Sequence, residues 1–288
     1  MVFVAGCARP PVSAQSTGAE VRADAPDAHK RVTAMSYNIR CGFCEKPDDV
    51  NHWSRRKFLV ADVIRKSQAD LIGLQEAEAF QVTDLASLLG EFDWVGVGRD
   101  DGKQGGEMNA VLVRRSAFAI SAQQTRWLSE TPERVSRGWD AMFNRTLTLL
   151  TLTSRRTGAE LYFLNTHFDH IGRQARDESA KLIVQTLQTL RSGVPVIVTG
   201  DFNARPDFAG YKTLTARLHD AALVSRTPAA GGNITFNGFG QDIEPDNKID
   251  YVFVSPGQEV LSHRIITDRY QQLYPSDHYP IVVDLRWQ

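Results

Sequence analysis

The chain has 288 residues, of which 42% are hydrophobic and 23% are charged, as is usual for a globular protein. Its formal net charge of -1 excludes a global positive field that would attract nucleic acid, although a local cationic cleft remains compatible with it. No apolar run in the sequence approaches the roughly 20 residues of a membrane-spanning helix.

The first 30 residues differ in composition from the rest. Val4-Ala5-Gly6-Cys7 resembles the lipobox of bacterial lipoproteins, in which the cysteine is lipidated. The residues up to about Lys30 are rich in Ala, Pro, Ser and Asp, which is typical of disorder. A basic n-region is missing, and the apolar stretch is shorter than the roughly 7–15 residues of a signal peptide.

Two interpretations of this segment stay open. One is an export signal whose beginning is missing, which would give a periplasmic or membrane-anchored lipoprotein with a lipid anchor at Cys7. The other is a chance match in a cytoplasmic protein. In both cases residues 1–30 are left out of the fold, and residues 31–288 are expected to form one domain.

Hydrophobic periodicity predicts an alternation of helices and strands along residues 31–288. The central block reads as mostly antiparallel sheet, and two strands near the C-terminus are predicted to form a hairpin around Pro256-Gly257. In chain order the predictions are a strand at 32–38, a helix at 53–66, a strand at 70–75, a helix at 79–89, strands at 94–98, 110–113, 118–122, 147–153 and 161–166, a helix at 173–190, and strands at 194–199, 249–255, 258–266 and 281–285.

Two of the three cysteines form a C-x-x-C pair just after the first predicted strand, at Cys41 and Cys44. A zinc site would require a second such pair, and the sequence has none. The spacing therefore favours a simple loop pair, which could be disulfide-linked if the protein is exported.

Three short segments place polar side chains where a predicted strand meets a loop: Asn165-Thr166-His167, Gly200-Asp201-Phe202-Asn203 and Ser276-Asp277-His278. Catalytic groups are common at such positions, because the sheet holds them rigidly and the loop exposes them. Asp201 and Asn203 would point the same way along an extended segment and suit a hard divalent cation or its bound water. The alternative is an ordinary Asx turn.

Three further strand boundaries carry polar side chains that suit catalysis or metal binding. Glu76 ends the second strand, Asn38 ends the first, and Asp250 opens a later one. A buried carboxylate at the last position would need a partner, and a histidine is the natural one. Exposed carboxylate and amide oxygens at the other two could hold a cation.

Taken together, these motifs resemble the endonuclease/exonuclease/phosphatase superfamily, which includes deoxyribonuclease I, sphingomyelinases and inositol phosphatases. The resemblance covers about residues 32–286, and its motifs stand in family order: Tyr37-Asn38, Leu74-Gln75-Glu76, Thr166-His167, Gly200-Asp201-Phe202-Asn203, Ile249-Asp250-Tyr251 and Ser276-Asp277-His278. It implies a four-layer α/β/β/α sandwich of two mixed, mostly antiparallel sheets.

The resemblance also implies roles for individual residues. The metal ligands for Mg²⁺ or Mn²⁺ would be Asn38, Glu76 and Asp277, directly or through water. Asp201 would position or deprotonate the attacking water. Asn203, His167 and His278 would contact the phosphate. Among the remaining catalytic residues, Asp250 would orient His278, and Glu107 would pair with His167.

Substrate contacts rest on shorter motifs. Arg145 matches a substrate-binding arginine of the superfamily, and the aromatic side chains of Trp139 and Phe236 lie in predicted loops where they could stack on a base or a sugar, or cover the cleft. The abasic-site nucleases usually carry an acidic residue two positions after the first-strand asparagine, where this chain has Arg40. That departure argues against an abasic-site nuclease.

The resulting hypothesis is a divalent-metal-dependent phosphoesterase that attacks a phosphodiester or phosphomonoester in line with metal-activated water. A phosphoester, either a small molecule or a nucleic acid, is the implied partner, and no stable protein partner is implied. The alternatives are a nonspecific secreted nuclease, a sphingomyelinase-like lipid phosphodiesterase and a catalytically silent binding module.

Overall fold

A computed structural model describes residues 31–241, 245–270 and 273–287. The predicted export segment, with Cys7, lies outside this part of the chain. The helices are α1 (Trp53–Ser67), α2 (Ala79–Leu88), α3 (Arg173–Thr189) and α4 (Ala209–Thr215). The strands are β1 (Arg31–Asn38), β2 (Leu71–Gln75), β3 (Phe92–Val95), β4 (Val111–Arg114), β5 (Phe118–Trp127), β6 (Thr146–Ser154), β7 (Glu160–His167), β8 (Val196–Asp201), β9 (His219–Asp220), β10 (Asp250–Val254), β11 (Glu259–Ile265) and β12 (Ile281–Arg286).

The strands form two six-stranded sheets, with the orders β11-β12-β1-β2-β4-β3 and β5-β6-β7-β8-β10-β9. Each sheet contains one parallel pair, β1 with β2 and β7 with β8, and its other pairs are antiparallel. Both parallel pairs are joined by long crossover connections, which parallel strands require, and these crossovers contain α1 and α3.

Three apolar clusters hold four layers together. The first lies between the sheets and includes Leu71 and Val283 from one sheet and Phe163 and Val252 from the other. The second packs α1 and α2 onto the outer face of the first sheet. The third packs α3 and α4 onto the outer face of the second. The predicted four-layer α/β/β/α sandwich is therefore confirmed.

The predicted hairpin around Pro256-Gly257 is wrong. Strand β10 pairs with β8 and β9, whereas β11 pairs with β12 in the other sheet. The turn carries the chain across the sandwich, so that Val254 and Val260 reach the same interior cluster from opposite sheets. Alternation of apolar residues predicts which face of a strand is buried but not which sheet it joins.

The element boundaries differ from the predictions in a few places. Strand β5 runs to Trp127, five residues beyond its predicted end, and the strand predicted at 94–98 lies at Phe92–Val95. The short helix α4 was not predicted. Among the described residues, no helix is both long enough and apolar enough to cross a membrane.

Candidate active site

The polar strand ends of both sheets meet at one end of the sandwich. In the second sheet, Asp201 lies opposite His167 on one side and opposite Asp250 on the other. In the first sheet, Asn38 pairs with Gln75, directly before Glu76. Strand register alone therefore brings five of the predicted site residues to the same edge.

Three site residues owe their direction to left-handed backbone. Arg40, Glu76 and Asn203 have φ values of 60°, 59° and 45°, a region that costs most non-glycine residues energy. Each follows the end of a strand, and all three line the same cavity. Strain that clusters at one place is typical of functional sites, because the surroundings must impose it.

The backbone at Asn203 differs from the predicted extended conformation. The side chains of Asp201 and Asn203 both reach the cavity, but the segment between them is not extended. The backbone N–H of Asn203 donates to Asp201 Oδ1 at 2.9 Å, which makes an Asx turn. The turn and the site are thus the same structure, and the turn fixes the carboxylate.

An acidic cluster forms around Asn38. The amide nitrogen of this buried side chain donates to Glu76 Oε1 and to Asp201 Oδ2, both at 3.0 Å. Its amide oxygen accepts the backbone N–H of Arg40 at 3.0 Å. Asn38 therefore orients two carboxylates, while direct ligation of a metal by its oxygen stays a prediction.

Glu76 and Asp277 experience different electrostatics. Burial acts to raise the pKa of Glu76, but His278, the amide of Asn38 and Arg40 outweigh it, so the pKa is lowered. Burial and the charge of Glu76 hold the pKa of Asp277 above its usual value, against the opposing effects of His278 and Arg40. The site thus concentrates negative charge, a condition that a bound cation would relieve.

His278 is held by Asp250. Its Nδ1 lies 2.8 Å from Asp250 Oδ2, and both side chains are buried. Burial acts to lower the pKa of His278, but the charge and hydrogen bond of Asp250, reinforced by Asp201, outweigh it and raise the pKa to about 10. The imidazole is therefore positively charged at neutral pH, with Nε2 3.7 Å from Asp201 Oδ2.

His167 has the opposite character. Burial, together with the charges of Arg145 and Arg99, holds its pKa well below the usual value. Its Nε2 accepts the side-chain amide of Asn203 at 3.1 Å, so the neutral ring carries its proton on Nδ1. That Nδ1 has no hydrogen-bond partner in the described part of the chain.

The carboxylate of Glu107 lies between the guanidinium of Arg99 and the neutral ring of His167. Its Oε2 accepts Arg99 at 2.5 Å and lies 3.9 Å from Nδ1 of His167, beyond hydrogen-bond distance. Burial and the charge of Glu76 raise its pKa to about 7, against Arg99 and Arg145. The predicted pairing of Glu107 with His167 is therefore present only as a longer contact.

Asp201 is the most constrained carboxylate of the site. It is buried and lies 3.6 Å from Nε2 of His167 and 3.7 Å from Nε2 of His278. Burial and repulsion from Asp250 raise its pKa to about 7, although the charge of His278 opposes them. A carboxylate in this environment can accept a proton near neutral pH.

Arg145 lines the same cavity beside Asp169 and His170. Its Nε donates to Asp169 Oδ2 at 3.3 Å, and one terminal nitrogen donates to Nδ1 of His170 at 3.1 Å. The other terminal nitrogen is buried and has no partner among the described residues. Phe143 stacks on the ring of His170 with centroids 5.8 Å apart.

These side chains enclose a cavity of about 390 Å³, a volume typical of small-molecule sites. Phe236 lines it and packs edge-on against His278, with ring centroids 5.0 Å apart. Trp139 does not line it, because its loop is tied elsewhere: Asp140 accepts backbone N–H groups at the start of α3. Contact between Trp139 and a substrate stays a prediction.

The residues present fit a hard divalent cation. Carboxylate oxygens of Glu76 and Asp201 lie within 4.8 Å of each other and of a ring nitrogen of His278, and carboxylate oxygens are the ligands that Mg²⁺ and Mn²⁺ prefer. Cys41 and Cys44 lie close to Glu107 but are disulfide-bonded, so they offer no thiolate. The backbone N–H of Cys41 instead donates to Glu76 Oε2 at 3.1 Å.

Comparison with known proteins identifies the family of the chain. The model of the endonuclease/exonuclease/phosphatase family matches residues 35–278. The chain belongs to this family. Its fold matches a family member from Bacteroides thetaiotaomicron with a TM-score of 0.84 and 34% identity, covering 90% of this chain and 98% of that one. A mannosyl-6-phosphatase from the same organism gives a TM-score of 0.84 and 34% identity over 89% of this chain and all of the other.

The chain is also similar, at lower identity, to eukaryotic proteins. Nocturnin from Drosophila melanogaster is 23% identical over 84% of this chain but only 43% of its own length, and human nocturnin is 25% identical over 92% of this chain and 67% of its own length. The catalytic domain of human nocturnin shares the fold, with a TM-score of 0.69 at 22% identity over 90% of this chain and 94% of that one. The chain therefore spans less than half of the fly protein.

Several residues of the site were not predicted from the sequence. Arg99, Asp169 and Phe143 lie outside the recognised motifs, and only Asp169, two residues after His167, stood next to one. The buried Arg56 donates to the carbonyls of Ile39 and Pro275 and so joins two site loops. The sequence around it, Trp53-x-x-Arg56 at the start of α1, does not by itself predict these partners.

Proposed function

We propose that this protein is a divalent-metal-dependent phosphoesterase that hydrolyses its substrate by in-line attack of water. The observation that most strongly supports this proposal is that Glu76, Asp201 and a charged His278 converge on one small cavity. Carboxylates alone would repel an anionic phosphoester, so the positive imidazole and the arginines are as important as the acids. Membership of a family of phosphoester hydrolases supports the assignment.

Glu76 and Asp277 would hold the cation, with Asn38 orienting Glu76. Mg²⁺ or Mn²⁺ bound there would supply charge neutralisation and a water of lowered pKa. The backbone N–H groups of Cys41 and Asn203 and the amide of Asn38 keep the carboxylates of Glu76 and Asp201 from turning away.

Asp201 would orient the attacking water and take up its proton. Its two oxygens are fixed by Asn203 and Asn38, and its raised pKa of about 7 suits a base at neutral pH. His278, charged and held by Asp250, would donate from Nε2 to a phosphoryl oxygen. His167 would need to take up a proton or change tautomer to donate from the same atom, since that nitrogen now accepts from Asn203.

The substrate is best sought among phosphorylated small molecules. The cavity is compact, and aromatic rings of Phe143 and Phe236 stand at its walls. One similar protein of known structure is a mannosyl-6-phosphatase, which supports including sugar phosphates. A nuclease or sphingomyelinase activity would appear in the same assay as preference for nucleic acid or sphingomyelin.

The test is hydrolysis of a panel containing mannose 6-phosphate, bis-p-nitrophenyl phosphate, plasmid DNA, RNA, sphingomyelin and inositol phosphates, with Mg²⁺, Mn²⁺ or EDTA. We expect activity that EDTA abolishes and added metal restores. His278→Ala should lower kcat by about 100-fold or more, and Glu76→Gln should weaken Mn²⁺ binding measured by calorimetry.

Matched controls come from the surface. His219 is exposed on β9 and Glu133 is exposed in a loop, so His219→Ala and Glu133→Gln should leave both readouts unchanged. Activity that ignores EDTA and is retained in His278→Ala would overturn the proposal. Metal binding without turnover of any substrate would instead indicate a binding module.

A further inference from the structure

Arg40 lines the cavity and has a backbone conformation that is unfavourable for arginine. It has left-handed φ, yet three contacts fix it there: its N–H donates to Asn38 Oδ1 at 3.0 Å, its carbonyl accepts Gln81 at 2.8 Å, and its guanidinium donates to Asp277 Oδ2 at 3.1 Å. A strained residue that its neighbours hold so firmly points to a function for its side chain.

The guanidinium is only partly committed. One terminal nitrogen is paired with Asp277, while Nε is buried and has no partner in the described part of the chain. The side chain is 36% exposed and lines the cavity. Arginine presents its donors in a planar fork, so a group that pairs with a carboxylate on one edge can still bind a phosphoryl oxygen on another.

Arg145 does not duplicate this position. It is buried and bound to His170 and Asp169, so its position is fixed by other partners than that of Arg40. Arg40 is the arginine that contacts a predicted metal ligand, Asp277. Its guanidinium therefore lies beside the predicted metal site of the cavity.

The geometry of in-line displacement determines how many phosphoryl oxygens need a binding partner. The attacking and leaving oxygens are axial, and three equatorial oxygens carry the developing charge. In a phosphomonoester all three are free, whereas in a diester one of them bears the second substituent. A cation that Glu76 and Asp277 would hold, the imidazole of His278 and the guanidinium of Arg40 offer three such positions around the cavity.

We propose that Arg40 binds the third free oxygen of the phosphoryl group and thereby selects phosphomonoesters over phosphodiesters. This inference rests on the proposed phosphoesterase function. In the reaction, the water oxygen forms a bond to phosphorus, the ester oxygen departs and takes up a proton, and the products are an alcohol and inorganic phosphate. A diester would place its second substituent against the guanidinium of Arg40.

The experiment compares p-nitrophenyl phosphate with bis-p-nitrophenyl phosphate, which share a leaving group, at saturating Mg²⁺. We expect the wild type to prefer the monoester. Arg40→Met should lower kcat/KM for the monoester by about 100-fold, which corresponds to the loss of charge-assisted hydrogen bonds, and should lower the monoester-to-diester ratio by at least 30-fold. Arg40→Lys should recover part of the loss because it restores charge without the fork.

The matched control is Arg115→Met. Arg115 makes an ion pair of the same length, 3.1 Å to Asp93, outside the cavity, so its removal should leave the ratio unchanged. A binding measurement independent of turnover uses inorganic phosphate and dimethyl phosphate with the Mg²⁺-loaded protein. Arg40→Met should weaken phosphate binding at least tenfold and leave the affinity for Mg²⁺ within threefold.

The outcomes separate the two proposals. Wild-type preference for the diester, or an equal loss for both esters with weaker Mg²⁺ binding, would show that Arg40 only orients Asp277 and would overturn the inference. If the wild type hydrolyses neither ester or any of the panel, the proposed function fails. In that case the comparison of phosphate with dimethyl phosphate still decides whether Arg40 recognises the dianion.

Discussion

Two buried histidines in this protein differ in charge at neutral pH. His278, in the cavity, is held by Asp250 at 2.8 Å, and its pKa is raised to about 10. His263, on β11, is equally buried but has no hydrogen-bond partner for either ring nitrogen among the described residues. Burial, with the charge of Lys248, lowers its pKa to about 4.

The difference lies in the partner and not in burial. Both rings lose hydration, which disfavours the charged form. Asp250 reverses that effect for His278, whereas the acid that acts on His263, Asp220, is itself paired with Lys248 at 3.3 Å. A carboxylate partner thus changes a buried histidine from a neutral packing group into a cation at neutral pH, and a cationic donor stabilises the charge of a phosphoryl transition state most strongly.

The largest expected effect comes from breaking the pair at His278. Asp250→Asn keeps the shape of the side chain but removes its charge, so the pKa of His278 should fall and the ring should lose its orientation. We expect kcat to drop by about 100-fold at pH 7. The ratio of variant to wild-type kcat should rise as the pH is lowered, because the ring of the variant is then protonated again, whereas Asp201 is protonated in both proteins. The measurement is kcat between pH 5 and pH 8.

Asp284→Asn is the control for this prediction. Asp284 also accepts side-chain hydrogen bonds, from Thr33 and Ser262, but lies on β12 away from the cavity. It should leave kcat unchanged. If Asp250→Asn keeps kcat within threefold of the wild type, the pair does not serve catalysis.

A second, intermediate effect concerns stability at His263. The folded-state pKa of about 4 lies below the unfolded value near 6.5. Between these values the unfolded chain binds a proton that the folded chain does not, so stability falls as the pH is lowered through this window. The loss attributable to His263 is about 3 kcal/mol.

His263→Leu should remove that loss. We expect the drop in the free energy of unfolding between pH 7 and pH 4, measured with urea, to be about 3 kcal/mol smaller than in the wild type. His219→Leu, at an exposed position on β9, should behave like the wild type. Equal acid sensitivity in wild type and His263→Leu would mean that the ring is already charged in the fold.

The sequence predicted the parts of the site that depend on local pattern. Apolar runs ending at Gln75 and just before Asp201 predicted where strands stop, and this placed Glu76 and Asp201 correctly at the cavity edge. The order of motifs implied the family and, through it, the sandwich. These inferences succeed because strand ends and their polar residues are encoded by neighbouring positions.

Contacts between distant segments could not be predicted in this way. The ion pair of Arg40 with Asp277 joins residues 237 positions apart, and the sequence marked Arg40 only as a departure from another branch. The membership of β11 in the first sheet likewise depends on pairing with β12. The predicted partner of His167 was named from family resemblance, but the competing Arg99 was not visible.

Glu107 gives the smallest expected effect and the sharpest contrast with Asp250. Its carboxylate lies 3.9 Å from Nδ1 of His167 and is already bound by Arg99 at 2.5 Å, so Glu107→Gln removes little from the neutral ring and keeps an oxygen for Arg99. We expect kcat at pH 8 to change by less than about tenfold, against about 100-fold for Asp250→Asn. Since the pKa of Glu107 is raised to about 7, any inflection that it contributes to the pH–rate profile near pH 7 should disappear in the variant. A 100-fold loss in Glu107→Gln would mean that substrate draws Glu107 away from Arg99 and onto His167, making the two catalytic histidines equivalent after all.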